Sequence, residues 1–138
     1  MLTLAQAQTA LGAMLDHAAQ IGGPPLALAL LDAGAHPVLI ARQDGAALLR
    51  VEIARGKAAG ALGLGADTRA LAERAAANPA FFTSVAAATG QLILSAGGVL
   101  LHGAGGQLLG AIGISGDTAD IDEQVALIGR AALAGDPQ

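Results

Sequence analysis

With cysteine absent from its 138 residues, this sequence leaves soft or borderline metal ligation to three histidines, His17, His36 and His102. None of them stands in an H-x-x-x-H or histidine–carboxylate spacing, so a metal site built from protein ligands alone is not expected. At 100° per residue, His17 lies about 60° outside the apolar stripe of its helix, beside Ala10 and Ala13. Both neighbours are small and leave room for something flat. The plain reading of His17 is a surface or interface histidine, and the functional one is an imidazole ligand. His102 ends an apolar run just before Gly103-Ala104-Gly105-Gly106 and is the second candidate. His36 precedes Pro37 in a turn and needs no functional account.

Charge gathers at Arg42-Gln43-Asp44-Gly45-Ala46, where a strand is expected to give way to a helix. There Asp44 could bond the helix's first N–H groups and pair with Arg42, a structural role. The functional alternative has Arg42 hold a carboxylate through two parallel hydrogen bonds, assisted by Lys57 if it faces the same side. Arg42, Asp44 and Asp122 form the corresponding set for a small anionic ligand. Phosphate loops fail: Gly56-Lys57 is followed by Ala58 where Ser or Thr is required, and Gly63-Leu64-Gly65 follows a helix instead of opening one. Ser115 lacks the spacing of a nucleophile elbow and reads as a turn residue.

The elements that must position these groups are legible in outline. Thr3 and Gln6 have the spacing of a capping box, and Leu4, Leu11, Leu15 and Ala18 recur at helical period up to Gly22-Gly23-Pro24-Pro25. Leu26 to Leu31 and Pro37 to Ala41 read as a hairpin around Asp32-Ala33-Gly34-Ala35. Gly45 to Leu62 follows helical spacing, with Arg50, Glu52, Arg55 and Lys57 off the apolar face. Asp67 is expected to cap a short helix to Ala77, and Asn78 another with Pro79 in its first turn. Three strands are then predicted, Gln91 to Ser95, Val99 to His102 and Leu108 to Ser115. Asp120 and Glu123 suggest a capped last helix with Ile121, Val125 and Ile128 on one face. This order implies a single α+β domain over residues 1–138, an antiparallel sheet with helices packed on it.

Hydrophobic types make up 54% of the chain and charged residues 13%, against roughly 25% charged in an average soluble protein. So little charge leaves apolar surface for another copy to cover, and a homo-oligomer is expected. The net charge of -4, scattered basic residues and absence of Trp and Tyr argue against nucleic acid. No charged residue occurs between Arg74 and Asp117, an interval long enough to span a bilayer. It is broken by Asn78-Pro79 and repeated glycines, so short buried strands are expected there and not a membrane span. Met1 to Gln8 lack the basic start and apolar stretch of a signal peptide, which points to a bacterial cytoplasm.

Taken in order, Leu31-Asp32-Ala33-Gly34, Arg42-Gln43-Asp44-Gly45-Ala46, Ala54-Arg55-Gly56-Lys57-Ala58, Gly97-Gly98 and Gly110-Ala111-Ile112-Gly113-Ile114-Ser115-Gly116, followed by Asp122-Glu123-Gln124, resemble the GlcG/HbpS-like family. The same pattern is similar to the C-terminal domain of PduO-type corrinoid proteins. Gln43 departs from the Met that the family usually has. The resemblance implies a five-stranded antiparallel sheet flanked by helices, a profilin-like α/β sandwich, assembled into dimers to octamers. It further implies haem or another tetrapyrrole as cofactor in some members, held at subunit contacts. His17 matches the first-helix histidine proposed as iron ligand, with His102 in reserve and Arg42 or Lys57 near propionates. The alternative is a small-molecule enzyme or accessory protein for 2-hydroxy-acid or aromatic-acid catabolism, using Arg42, Asp44 and Asp122.

Overall fold

In the computed structural model, which describes residues 1–134, the chain runs α1 (Leu4–Ile21), β1 (Ala27–Asp32), β2 (Pro37–Arg42), α2 (Arg50–Leu64), α3 (Thr68–Ala77), α4 (Pro79–Thr89), β3 (Gly98–His102), β4 (Leu108–Ser115) and α5 (Ala119–Ala132). The strands lie in the order β2-β1-β4-β3, each neighbouring pair antiparallel. Side chains alternate across them. Leu28, Leu30, Val99, Leu101, Ile112 and Ile114 share a core with Met14 of α1 and Val125 of α5. Leu31, Leu100 and Ala111 cluster with Ala58 and Ala61 of α2 on the other face, and Ala27 and Ala29 with Ala54. Leucine and alanine are indifferent strand formers, but burial on both faces overrides that preference.

The α2 face is paved with small residues, which lets the helix ride on the sheet's backbone. A Cβ on Gly113 would come within 1.9 Å of Ala54 O, and one on Gly98 within 2.4 Å of Lys57 O. The opposite face of α2 is equally crowded: a Cβ on Gly56 would meet Ile93 Cγ1 at 2.5 Å and Gln91 O at 2.9 Å.

The sheet has four strands and not five. Gln91 to Ser95, expected as a strand, is not part of the sheet and lies across α2, with Ile93 N–H donating to Gly56 O at 3.0 Å. Its place beside β3 is taken by side chains. Thr68 Oγ1 accepts from Gly98 N–H at 2.8 Å and donates to Gly98 O at 3.3 Å. Asp67 accepts from Leu100 N–H at 2.9 Å and from Arg130 at 2.9 Å. The backbone groups that a fifth strand would use are therefore occupied.

Local capping follows the sequence in part. Thr3 and Gln6 form the reciprocal box, with Thr3 N–H donating to Gln6 Oε1 at 2.9 Å and Gln6 N–H to Thr3 Oγ1 at 3.1 Å. Asp67, in contrast, spends its carboxylate on Leu100 and Arg130 and leaves α3 without a side-chain cap. Asn78 makes no capping bond to α4, although Pro79 opens it as expected. The last helix is capped by Thr118, two residues before Asp120. α2 starts at Arg50 and not Gly45, because the residues after Gln43 turn back, with Ala46 N–H bonded to Gln43 O. Among the described residues no helix is long and apolar enough to cross a membrane.

Candidate functional site

Register places most of the candidate residues at one end of the sheet. Arg42 of β2, Ala27 of β1 and Ser115 of β4 lie side by side there. At the same end α1 turns into β1 and β4 into α5. His102 pairs with Leu108 in the β3–β4 hairpin, at the opposite end. One chain therefore cannot present His17 and His102 to the same small guest.

Lys57 and Asp122 do meet, inside the protein. Lys57 is 3% exposed and Asp122 1%. The ammonium donates to Asp122 Oδ2 at 3.1 Å and to Ile114 O at 2.8 Å, and the other carboxylate oxygen accepts from Asp117 N–H at 2.9 Å. Beside them Arg50 donates to the hydroxyl of Ser115, the last residue of β4 and not part of a turn, at 3.2 Å. The pair thus ties α2, β4 and α5 together. An expectation that Lys57 reaches a propionate, or Asp122 a small anion, gives way here, since each side chain is enclosed and already committed to the other.

Burial pushes the Asp122 carboxyl up, against the hydrogen bond from Asp117 N–H and the charge of Lys57, and pushes the Lys57 ammonium down. A carboxyl whose native value lies above the ordinary 3.8 holds its proton more tightly when folded. Its contribution to stability is then greatest below 3.8 and declines as pH rises through the native value. Between about pH 6 and about pH 4 the wild type should therefore lose less stability than Asp122→Asn. Urea midpoints of both proteins at the two pH values check this, and a steeper loss in the wild type would refute it.

His17 stands on the flank of α1 that faces α5, half-buried, one turn before the helix ends. Its Nε2 lies 3.1 Å from Gln124 Nε2 of α5. The two helices are set close together by Gly129, where a Cβ would meet Met14 Sδ at 2.6 Å. Gln124 was not foreseeable as a partner, because 107 residues separate it from His17.

Arg42 and Asp44 are exposed, and neither pairs with the other among the described residues. Gln43, between them, turns inward and accepts from Leu26 N–H at 2.8 Å. Asp44 borders an open cleft of about 620 Å³ whose other wall includes Leu15, Ala18 and Ala19 of α1 and its C-cap Gly22. On the helical wheel those residues centre about 150° from His17. His17 and the Arg42–Asp44 corner thus flank α1 on opposite sides. His36 is exposed and sits 3.4 Å from Asp32, whose carboxyl is held below its usual value chiefly by the His36 N–H. It remains a turn residue. A second cleft, about 580 Å³, runs between α2 and residues 90–93, with Glu52 and Arg55 among its lining.

Comparison with known proteins places this architecture. A search of the curated proteins finds no match. Among solved structures, a double mutant of Streptomyces reticuli HbpS is 31% identical with a TM-score of 0.83, covering 96% of this chain and 86% of that one. PduOC, solved as a complex with haem, is 25% identical with a TM-score of 0.87, covering 99% of each chain. Klebsiella pneumoniae protein ORFY is also 25% identical, with a TM-score of 0.88 and coverage of 97% and 91%. The family model described as "haem degrading protein HbpS-like" matches residues 2–131. With that match spanning nearly the whole chain on the same helix-flanked antiparallel sheet, the protein belongs to the HbpS-like family.

Proposed function

We propose that this protein binds haem as a homo-oligomer, with His17 as the iron ligand. The observation that carries the reading is the donor set. Among the described residues no group of three His, Asp or Glu side chains comes together to hold a metal ion. Porphyrin iron already carries four nitrogens and needs only one or two protein ligands, so a lone half-buried imidazole suits it. The crystal structure of PduOC with haem, on the same fold, supports the choice of guest.

When bound, haem supplies an iron centre whose chemistry is set by its axial ligand and surroundings. The chain's own part is to supply the imidazole, to shield the ring's apolar faces and to pair its carboxylates. A single chain leaves the shielding incomplete, and a second copy supplies the missing wall. Apolar surface for contact with another copy is present around α2 and α4, on the other side of the sheet from His17: Leu48 is 78% exposed, Leu49 63% and Phe81 54%, while α4 buries none of its residues. Arg42, exposed and without an ion-pair partner among the described residues, is the group suited to a propionate, offered across an interface because its corner lies on the far flank of α1 from His17. His102, at the other end of the sheet, reaches the same iron only from another copy.

Haemin titration tests the assignment. The wild type should develop a shifted Soret band that saturates, and His17→Ala should abolish that shift while leaving far-UV circular dichroism unchanged. An identical spectrum from the variant would reject His17. A protein that sediments as a monomer at micromolar concentration with haemin bound would reject the shared pocket. Thermal-shift screening with glycolate and related carboxylates covers the small-anion alternative, because a ligand of the native state raises the melting temperature.

A further inference from the structure

Gln124 covers the outer ring nitrogen of His17. Its carboxamide nitrogen lies 3.1 Å from His17 Nε2, the ring nitrogen most distant from α1's backbone. Packing holds the pair in register: Met14 lies one turn before His17 on α1 and seats against Gly129, just over one turn after Gln124 on α5. Neither contact side chain is locked in the core. Gln124 is exposed and His17 half-buried, so the glutamine is free to swing away without disturbing Val125 or Ala126 beside it.

Resting on the reading of His17 as iron ligand, we infer that Gln124 is a gate for that ligand, holding the imidazole ready while covering its donor nitrogen. With the amide nitrogen as donor, Nε2 of a neutral ring accepts, which corresponds to the tautomer with its proton on Nδ1. That tautomer has its lone pair on Nε2 and so coordinates a metal through that nitrogen. The same hydrogen bond occupies the lone pair. Haem therefore takes the site only by displacing Gln124, and the glutamine sets a threshold that favours a guest able to form a strong metal–nitrogen bond over one that merely adsorbs. Neither Asp120 nor Glu123 on the same helix competes for His17, because Arg69 of α3 engages both.

Two substitutions at this exposed position give opposite signs, which a general loss of folding would not do. An exposed neutral hydrogen bond is worth a factor of roughly 3 to 10 in an equilibrium constant. Gln124→Ala should tighten haemin binding by that factor and speed its association. Gln124→Glu, whose carboxylate accepts from Nε2–H and so favours the form with the proton on that nitrogen, should weaken binding. A readout without haem completes the test: in the apo protein, nitrogen-15 NMR should show His17 Nε2 as the unprotonated ring nitrogen, and Gln124→Ala should mix the two tautomers. Unchanged or weaker haemin binding by Gln124→Ala, or a protonated Nε2 in the wild type, would overturn the gate. Undiminished binding by His17→Ala would instead overturn the ligand assignment beneath it.

Discussion

Lys57→Met should lower the free energy of unfolding by about 3 to 5 kcal/mol, because it leaves the Asp122 carboxylate buried without its counter-charge. The ammonium it removes makes two hydrogen bonds inside the protein, and the side chains of the ion pair are only 4% and 2% exposed. Urea denaturation followed by circular dichroism measures the loss. The double variant Lys57→Met with Asp122→Leu should recover most of it, since replacing both members of a buried pair by apolar groups is often close to neutral. A single variant as stable as the wild type would mean that the native pair is already uncharged.

A second large effect is expected at Gly113. Adding one methyl group there brings a Cβ within 1.9 Å of Ala54 O and 2.8 Å of Ala58 N, both backbone atoms of α2. No rotamer change can relieve a contact with a helix backbone, so α2 must lift off the sheet. Gly113→Ala should therefore destabilise by about 3 kcal/mol or more, at the upper end of overpacking effects. Gly12→Ala is the matched control. It lies on the exposed face of α1 with no atom within 4 Å of the added Cβ, and it should stabilise by roughly 0.5 to 1 kcal/mol through helix propensity. Melting temperatures that move the same way in both variants would contradict the close seating of α2.

These two sites also mark the limit of what was legible in the sequence. Gly113 was visible as part of a glycine-punctuated strand, and β4 has the expected bounds, Leu108–Ser115. That its hydrogen atom faces a helix carbonyl is a fact about packing between distant segments. In the sequence Lys57 sits among Arg50, Glu52 and Arg55, off the apolar face of its helix, and its partner Asp122 is 65 residues away. Local signals carried well where the physics is local: the Thr3–Gln6 box, the hairpin of β1 and β2, and the Pro79 start of α4 are all present. They failed where two local solutions compete. Leu92-Ile93-Leu94 has the same apolar run whether it pairs with a strand or lies over a helix, and only the occupation of β3's edge by Thr68 and Asp67 decides between them. Asp67 would have capped α3 had Arg130 and Leu100 N–H not claimed its oxygens.

The candidate site divides in the same way. Helical period alone put His17 off the apolar stripe beside small residues, and the structure finds it half-buried on the flank facing α5. Its neighbour on α5, and the separation of Arg42 and His102 from it, follow from how the helices cross the sheet. No spacing rule within one helix or strand contains that information.

The occupied edge of β3 limits polymerisation. A sheet with two open borders can add copies at both and grow without end, which is the route to fibrils. Here Thr68, Asp67 and Arg130 seal one border, and β2 pairs with no strand but β1 among the described residues. Lateral stacking through β2 about a two-fold axis uses up the open border of both copies at once and stops at two. An alanine- and leucine-rich chain thus has a structural terminator against runaway strand addition.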